Sequence, residues 1–271
     1  MKLNWHWPTP NGKPPAALVS AALFILLTLW ASAGLVEISL SGLLQAIPGV
    51  ITFAQHLLTA PDWSYLPQLT QKLLETLEMA FLATAIAVAI SLPLGILAAR
   101  NASPFVWTFY AARQLLSFIR ALPEMLWALV FVSAIGLGPL PGVLALSLVT
   151  VGFMGKFFAE SIEVVGRKAV EGVKATGGTH LQTILFAMLP QALPDFIGSI
   201  LYILDHNIRA ATILGLVGAG GIGYDLVMSM RLFNYERIGM IVVAIYLLVT
   251  LLDRLSDILR KKVIGRTFDG S

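Results

Sequence analysis

Residues 169–190 read Ala169-Val-Glu-Gly-Val-Lys-Ala-Thr-Gly-Gly-Thr-His-Leu-Gln-Thr-Ile-Leu-Phe-Ala-Met-Leu-Pro190, a polar island between the apolar stretches 139–158 and 193–217. A short amphipathic helix over its first part would place Val170, Val173 and Lys174 on one side. Gly177 and Gly178 would end that helix, because glycine takes the positive φ of a helix C-terminus without a side-chain clash. Pro190 and Pro194 bracket the entry to the next apolar stretch. A polar helix and turn held between two membrane-length segments predicts an all-α, polytopic membrane protein.

Composition agrees. The 271 residues are 57% hydrophobic and 12% charged, with mean hydropathy +0.82, whereas soluble domains carry about 25% charged residues. A bilayer core about 30 Å thick takes roughly 20 apolar helical residues to cross. Apolar runs at 16–36, 77–99, 105–137, 139–158, 193–217 and 238–252 give about six spans. The first reads as a retained anchor, since it is too long for a signal-peptide core and Trp30-Ala31-Ser32-Ala33 is a poor cleavage site. Residues 37–70, with Pro48, Pro61, Pro67 and the interface-type aromatics Phe53, Trp63 and Tyr65, read as an external loop with short helices. The run 105–137 exceeds one crossing and holds Arg113, Arg120, Pro123 and Glu124, so its lower part is expected to extend as helix into water or a protein interior.

Lys and Arg set the orientation, because cytoplasmic loops are enriched in both. With the N-terminus inside, the inner segments hold Lys2, Lys13, Arg100, Lys156, Arg167, Lys168, Lys174, Arg254, Arg260, Lys261, Lys262 and Arg266, and the outer loops hold Lys72, Arg231 and Arg237. Both termini, and the island around Glu171, are therefore expected in the cytoplasm.

Several chemistries fail on spacing. Gly218-Ala-Gly220-Gly-Ile-Gly223 satisfies GxGxxG, but it follows a span rather than a strand and Glu236 lies too close to serve a ribose. These glycines read instead as tight turns and close backbone packing. Gly152-Phe-Met-Gly155-Lys156-Phe157 lacks the first P-loop glycine at its required spacing and the Ser/Thr after lysine, so the chain should not bind ATP. The four histidines, His6, His56, His180 and His206, are scattered, and neither HExxH nor GxSxG occurs, which speaks against an enzyme. With no cysteine there is no disulfide, thiolate metal site or Cys nucleophile.

Ionisable residues deep in a bilayer face protein or a water-filled cavity, and Arg120, Glu124, Asp205, His206 and Arg209 all fall within apolar runs. Arg120 with Glu124 and Asp205 with Arg209 are i,i+4 spacings that would let each pair neutralise itself. The alternative is a translocation pathway using Arg120, Glu124, Asn207 and Arg209, in which guanidinium groups meet an oxyanion in bidentate geometry. Such sites should hold cargo weakly, since a deep well would trap it.

Glu171, Gly177, Leu189 and Pro190 fall on fixed positions of the EAA loop of ABC importer permeases, Glu-Ala-Ala, three residues, Gly, nine residues, Ile, one residue, Leu-Pro. Gly172 and Val173 stand in place of the two alanines and Ala187 in place of the isoleucine, a variant that resembles the phosphonate-type branch. The stretches Arg120-Ala-Leu-Pro-Glu124-Met-Leu-Trp-Ala, Gly136-Leu-Gly-Pro-Leu-Pro-Gly142-Val-Leu-Ala-Leu and Asn207-Ile-Arg-Ala-Ala-Thr-Ile-Leu-Gly-Leu-Val-Gly-Ala-Gly-Gly-Ile-Gly223 resemble the same branch, so that the likeness covers about 73–262.

This resemblance implies the type I importer permease fold, a core of about five spans with one extra N-terminal span. It divides the chain into a tail, first span and external loop (1–72), the permease core (73–262) and a cytoplasmic tail (263–271). The island would be a coupling helix near 165–180 that docks on a separate ATPase subunit, with Arg167, Lys168, Val170, Glu171, Gly172, Ala175, Thr176 and Gly177 at the contact. No cofactor is expected on this chain; ATP and Mg belong to the partner ATPase, itself a dimer. Other implied partners are a second copy of this chain, a periplasmic or lipid-anchored phosphonate- or phosphite-binding protein, and membrane lipid, with no nucleic acid. The implied place is the bacterial inner membrane, and the implied cargo is phosphonate, phosphite, hypophosphite or phosphate. Methionine or another small solute is the alternative cargo, since the stretch 218–223 recurs in related permeases. A secondary transporter is the alternative class, against which stand internal repeats and broken helices that the sequence does not show.

Overall fold

The computed structural model describes residues 16–35, 40–57 and 61–268. The N-terminal tail expected before Ala16 and the end of the C-terminal tail after Phe268 lie outside the described residues. The described residues are helical, with no strand among them, and fall into two compact units.

The first unit holds α1 (Ala16–Leu35) and α2 (Leu40–Leu57). Twenty residues at 1.5 Å each give α1 a length of about 30 Å, the thickness of a hydrocarbon core. Leu23, Phe24, Leu26, Leu27 and Trp30 are all exposed along it, and a helix apolar on every side needs lipid or protein around it rather than water. The region expected to be a loop with short helices holds the 18-residue α2, which carries Pro48 inside it.

The second unit begins with a 3₁₀ turn, Trp63–Tyr65, and continues as α3 (Leu66–Ala98). The start of α3 lies well before the expected Leu77. Pro67 in its first turn is preset for helix and forfeits an N–H that had no partner there. Lys72 then pairs with Glu75 one turn later at 2.6 Å, so the polar start of the helix neutralises itself. The helices α4 (Val106–Ile119), α5 (Glu124–Ile135) and α6 (Pro139–Glu163) follow, then the short α7 (Arg167–Ala175) and α8 (His180–Thr183). A π turn, Ile184–Met188, leads into α9 (Leu189–Leu214), and α10 (Gly221–Arg231) and α11 (Tyr235–Phe268) end the unit.

Four segments are long and apolar enough to cross a membrane: α3, α6, the stretch containing α9, and α11. The pair α4 and α5 makes a fifth, broken one, and α1 is a shorter apolar helix in addition to these four to five, roughly in line with the six expected. The run 105–137 is therefore not a long straight helix reaching out of the bilayer. It bends by 81° between α4 and α5. Pro123, at ψ 151°, has no N–H to continue the ladder and disfavours helix at Leu122, so α4 ends at Ile119 and a new helix starts at Glu124.

At the centre, α6 is buried along most of its length against α3, α4, α5 and α9. Its partner face on α3 is a stripe of small residues, Ala80, Ala83, Thr84, Ala87, Ser91, Gly95 and Ala98. Within lipid, apolar surface alone gives helices no reason to associate, and close approach of small residues supplies dispersion contacts instead. A Cβ on Gly95 would lie 2.7 Å from Phe158 Cβ and 3.1 Å from the Gly155 carbonyl oxygen. The glycines that superficially suggested a P-loop serve the same end: Gly152 admits the stem of Arg120, and Gly155 admits Leu116.

The Gly218–Gly223 stretch reverses the chain between α9 and α10, as its composition suggested. Gly218, Gly220 and Gly221 have φ of 87°, 80° and 70°. Gly223 packs backbone to backbone on the end of α9, where an added Cβ would sit 1.9 Å from the Thr212 carbonyl oxygen. Helix α3 caps the new helix: the Gly221 N–H donates to Glu75 Oε1 and the Ile222 N–H to Thr76 Oγ1, both at 2.9 Å. On the same end, Asp62 accepts from Ser64 and from Arg237, and these bonds hold its carboxyl below the usual carboxylate range.

Gly223→Ala is expected to destabilise the protein by about 1–3 kcal/mol or more, because neither backbone can yield. Thermal unfolding of the purified protein in detergent checks this, with Gly172→Ala, where nothing lies within 4 Å of the added atom, as the tolerated comparison.

Candidate functional site

Helix α7 forms where the sequence placed an amphipathic helix. Val170 and Val173 are half-buried, with Val170 packed on the large apolar cluster around Phe158 and Met188. Arg167, Lys168, Glu171, Gly172, Lys174, Ala175, Thr176 and Gly177 are exposed; Lys174, expected on the valine side, points to solvent. The helix ends in a Schellman motif: the Gly178 N–H donates to the Val173 carbonyl at 3.1 Å and the Gly177 N–H to that of Lys174 at 3.0 Å. Gly177 sits at φ 80°, where a side chain would clash. A capping box then starts α8, the Gln182 N–H donating to Thr179 Oγ1 and the Thr179 N–H to Gln182 Oε1. Pro190, without an N–H, follows a π turn in which the Leu189 N–H reaches back to the Ile184 carbonyl.

The base of α7 is tied to the bundle. Glu163, at the end of α6, accepts from both the Arg100 backbone N–H at 2.7 Å and the Arg113 guanidinium, whose Nη2 meets its two oxygens at 2.9 and 3.0 Å. Arg113 also donates from Nε to the Ala98 carbonyl at 3.1 Å. Asn101 donates to the Ile162 carbonyl, and His180 hydrogen-bonds the Ala102 carbonyl at 2.8 Å. The end of α3, the middle of α4 and the end of α6 thus form one bonded block from which α7 projects. Any displacement of α7 acts first on this block.

The intramembrane charges divide into two cases. Arg209 pairs with Asp205, as the spacing suggested, and also with Asp253 of α11 at 3.0 Å. Two carboxylates around one guanidinium leave no net positive potential there. Arg120 and Glu124 do not pair, because the 81° break between α4 and α5 removes the helical geometry their spacing requires. Arg120 instead lies over the Phe153 ring, 4.8 Å from its centroid. Glu124 borders a small gap shared with Thr150, His206 and Asn207. Asn207 itself is 1% exposed. It accepts from Thr150 Oγ1 at 3.0 Å and donates to Thr84 Oγ1 at 2.9 Å, bracing α3, α6 and α9 together.

The sequence reading named neither Glu163 and Arg113 as a pair, nor Asp253, nor the capping role of Glu75. Their partners lie 50, 44 and 146 positions away, beyond any helical spacing. The signal that was available was their class: carboxylates and arginines close to apolar runs require partners.

Gly177→Ala should strain the turn by about 1–2 kcal/mol, while Gly172→Ala should firm α7 by about 0.5–1 kcal/mol. Hydrogen exchange of the α7 amides reads both: faster in the first variant, slower in the second. Equal exchange in the two would contradict the turn geometry.

Residues 91–265 match the model of the binding-protein-dependent transport system inner membrane component family. The phosphite transport system permease protein PtxC of Stutzerimonas stutzeri is 44% identical over 219 residues, covering 81% of this chain and 79% of that protein. The phosphate-import permease protein PhnE of Mycolicibacterium smegmatis is 43% identical over 190 residues, 70% of this chain and 36% of that one. Among solved structures, a chain of the MetNI methionine ABC transporter in an inward-facing conformation superposes with a TM-score of 0.64 at 20% identity, over 74% of this chain and 99% of that one. At that identity the likeness speaks for the fold, which is that of ABC importer permeases. With 175 of its 271 residues (91 to 265 inclusive) inside the family model and a relative 44% identical over four-fifths of its length, this multi-pass membrane protein belongs to the binding-protein-dependent transport system inner membrane components.

Proposed function

We propose that this chain is the membrane-spanning subunit of an ABC importer that moves phosphonate or a related phosphorus oxyanion (phosphite, hypophosphite or phosphate) into the cytoplasm. The observation that carries the reading is α7: a short, basic, exposed helix fixed by its valines and its Schellman turn on a bonded block, at the position of the EAA loop. Such a helix suits docking into a cleft on a separate ATPase, with Glu171 and its neighbours as the contact and with ATP and Mg held by that ATPase. The names of the relatives at 43–44% identity support the cargo class. The methionine transporter shares the fold at 20% identity and supports no choice of cargo.

A type I arrangement uses two copies of the permease, an ATPase dimer and an external binding protein that selects the cargo. The excess of Lys and Arg on the α7 side supports cytoplasmic termini. Of the two arginines considered for the pathway, Arg120 is the better candidate, because Arg209 is already matched by Asp205 and Asp253. No carboxylate pairs with Arg120 within the described residues, so its positive potential is available to a passing anion.

Reconstitution in liposomes with the ATPase and the binding protein tests this. Phosphite, phosphate or a phosphonate should stimulate ATP hydrolysis, methionine should not, and Glu171→Ala should abolish most of the stimulation. Stimulation by methionine alone would contradict the cargo class. Arg120→Gln should slow oxyanion uptake at least tenfold, while Arg209→Gln, which strands two carboxylates, should show first as lower thermal stability. Wild-type uptake by Arg120→Gln would remove Arg120 from the pathway.

A further inference from the structure

On the side of the protein that carries α7, between α4 and α6, an open cavity of about 430 Å³ is bordered by Arg100, Tyr110, Arg113, Gln114, Ser117 and Lys156. Three cations therefore converge on one space. Arg113 is committed to Glu163. Arg100 gives Glu163 only its backbone N–H. Neither the Arg100 guanidinium nor the Lys156 ammonium has a carboxylate partner among the described residues. Lys156 lies about two turns before the end of α6 at Glu163, and an ammonium at that depth needs water or an anion beside it.

The surroundings indicate which anion. A second cavity of about 180 Å³ shares Arg100, Phe109 and Tyr110 with the first and is bordered by Phe105 and Val106. Phe105, Val106, Trp107 and Tyr110 are all exposed at the start of α4, and the Phe105 and Trp107 rings stack at 6.2 Å. Aromatic side chains collect at the level of lipid headgroups, and basic pockets between membrane helices on that level take phosphate groups. An aromatic rim beside the two unmatched cations offers an acyl chain a wall and its phosphodiester a pair of donors.

We propose that this pocket seats the headgroup phosphate of an anionic phospholipid, with Arg100 and Lys156 as its charged ligands and Tyr110, Gln114 and Ser117 as further hydrogen-bonding groups. The proposal does not depend on the identity of the cargo. It borders Arg113, the residue that joins α4 to the base of α7, so an occupied pocket stiffens the block from which α7 projects. A free oxyanion on the same side shares the headgroup chemistry but would make no use of the aromatic rim.

The test uses the purified full chain in detergent, titrated with phosphatidylglycerol, phosphatidylcholine or inorganic phosphate and read by native mass spectrometry. Phosphatidylglycerol should bind in preference to phosphatidylcholine, and millimolar inorganic phosphate should not displace it. The Arg100→Gln/Lys156→Gln variant should bind phosphatidylglycerol roughly tenfold more weakly, given that each surface cation contributes severalfold to the affinity for anionic lipid. Lys2→Gln/Lys13→Gln, with the same loss of charge, should bind as wild type, and Arg100→Lys/Lys156→Arg should retain binding, which separates loss of charge from misfolding. Undiminished binding by Arg100→Gln/Lys156→Gln would overturn the site. Displacement by inorganic phosphate with no preference between the two lipids would overturn the lipid in favour of a free oxyanion.

Discussion

Three helices of this protein meet at one carboxamide. Asn207 on α9 accepts from Thr150 on α6 and donates to Thr84 on α3, and the Thr84 hydroxyl in turn donates to the Ala80 carbonyl one turn back. All three side chains are almost wholly buried, so each of these groups must find its partner inside the protein or carry most of the cost of burial. The triad fixes how α3, α6 and α9 are rotated about their axes, and the small-residue stripe on α3 fixes how near they come. With both set, the polar contacts further out follow: Glu75 and Thr76 reach α10, Arg209 reaches Asp253, and Glu163 reaches Arg113.

From this centre the molecule differs at its two ends. At one end the chain reverses through glycines with positive φ and is capped by side chains of α3, which produces a close, backbone-packed corner. At the other end the turn after α6 places α7 outside the bundle, anchored by two valines and by a hydrogen-bonded turn rather than by burial. An exposed helix on a stiff base is suited to receiving a push from another protein. Further along α4 from that base lies the 81° break between α4 and α5, beside the charge-bearing Arg120. Motion of the bonded block reaches it through α4.

Hydropathy and glycine placement made much of this legible in the sequence. Runs of twenty apolar residues and the pair Gly177-Gly178 report local physics, which is why α6, α9 and α7 appear close to where they were expected. Pro123 marked the α4–α5 break as well, but the reading followed the charges and extended the helix instead. The early start of α3 was not legible from hydropathy because its first turns carry Lys72 and Glu75, which neutralise each other within one helical turn, and α2 is a longer helix than the short ones expected in 37–70 because hydropathy does not fix helix length there. The site was harder. Asp205 with Arg209 was readable from i,i+4 spacing, whereas Asp253 as a second partner, and the Arg113–Glu163 link, depend on which helices lie side by side. No local pattern encodes that.

The central claim is that α7 is the contact surface for an ATPase subunit, and the absence of cysteine from the chain makes it directly measurable. A cysteine introduced by Glu171→Cys is the sole thiol of the permease. It should cross-link to a single-cysteine ATPase in the assembled transporter, with a yield that changes on adding ATP, while Arg231→Cys at the far end of the bundle should not. Cross-linking at position 231 and none at 171 would contradict the account.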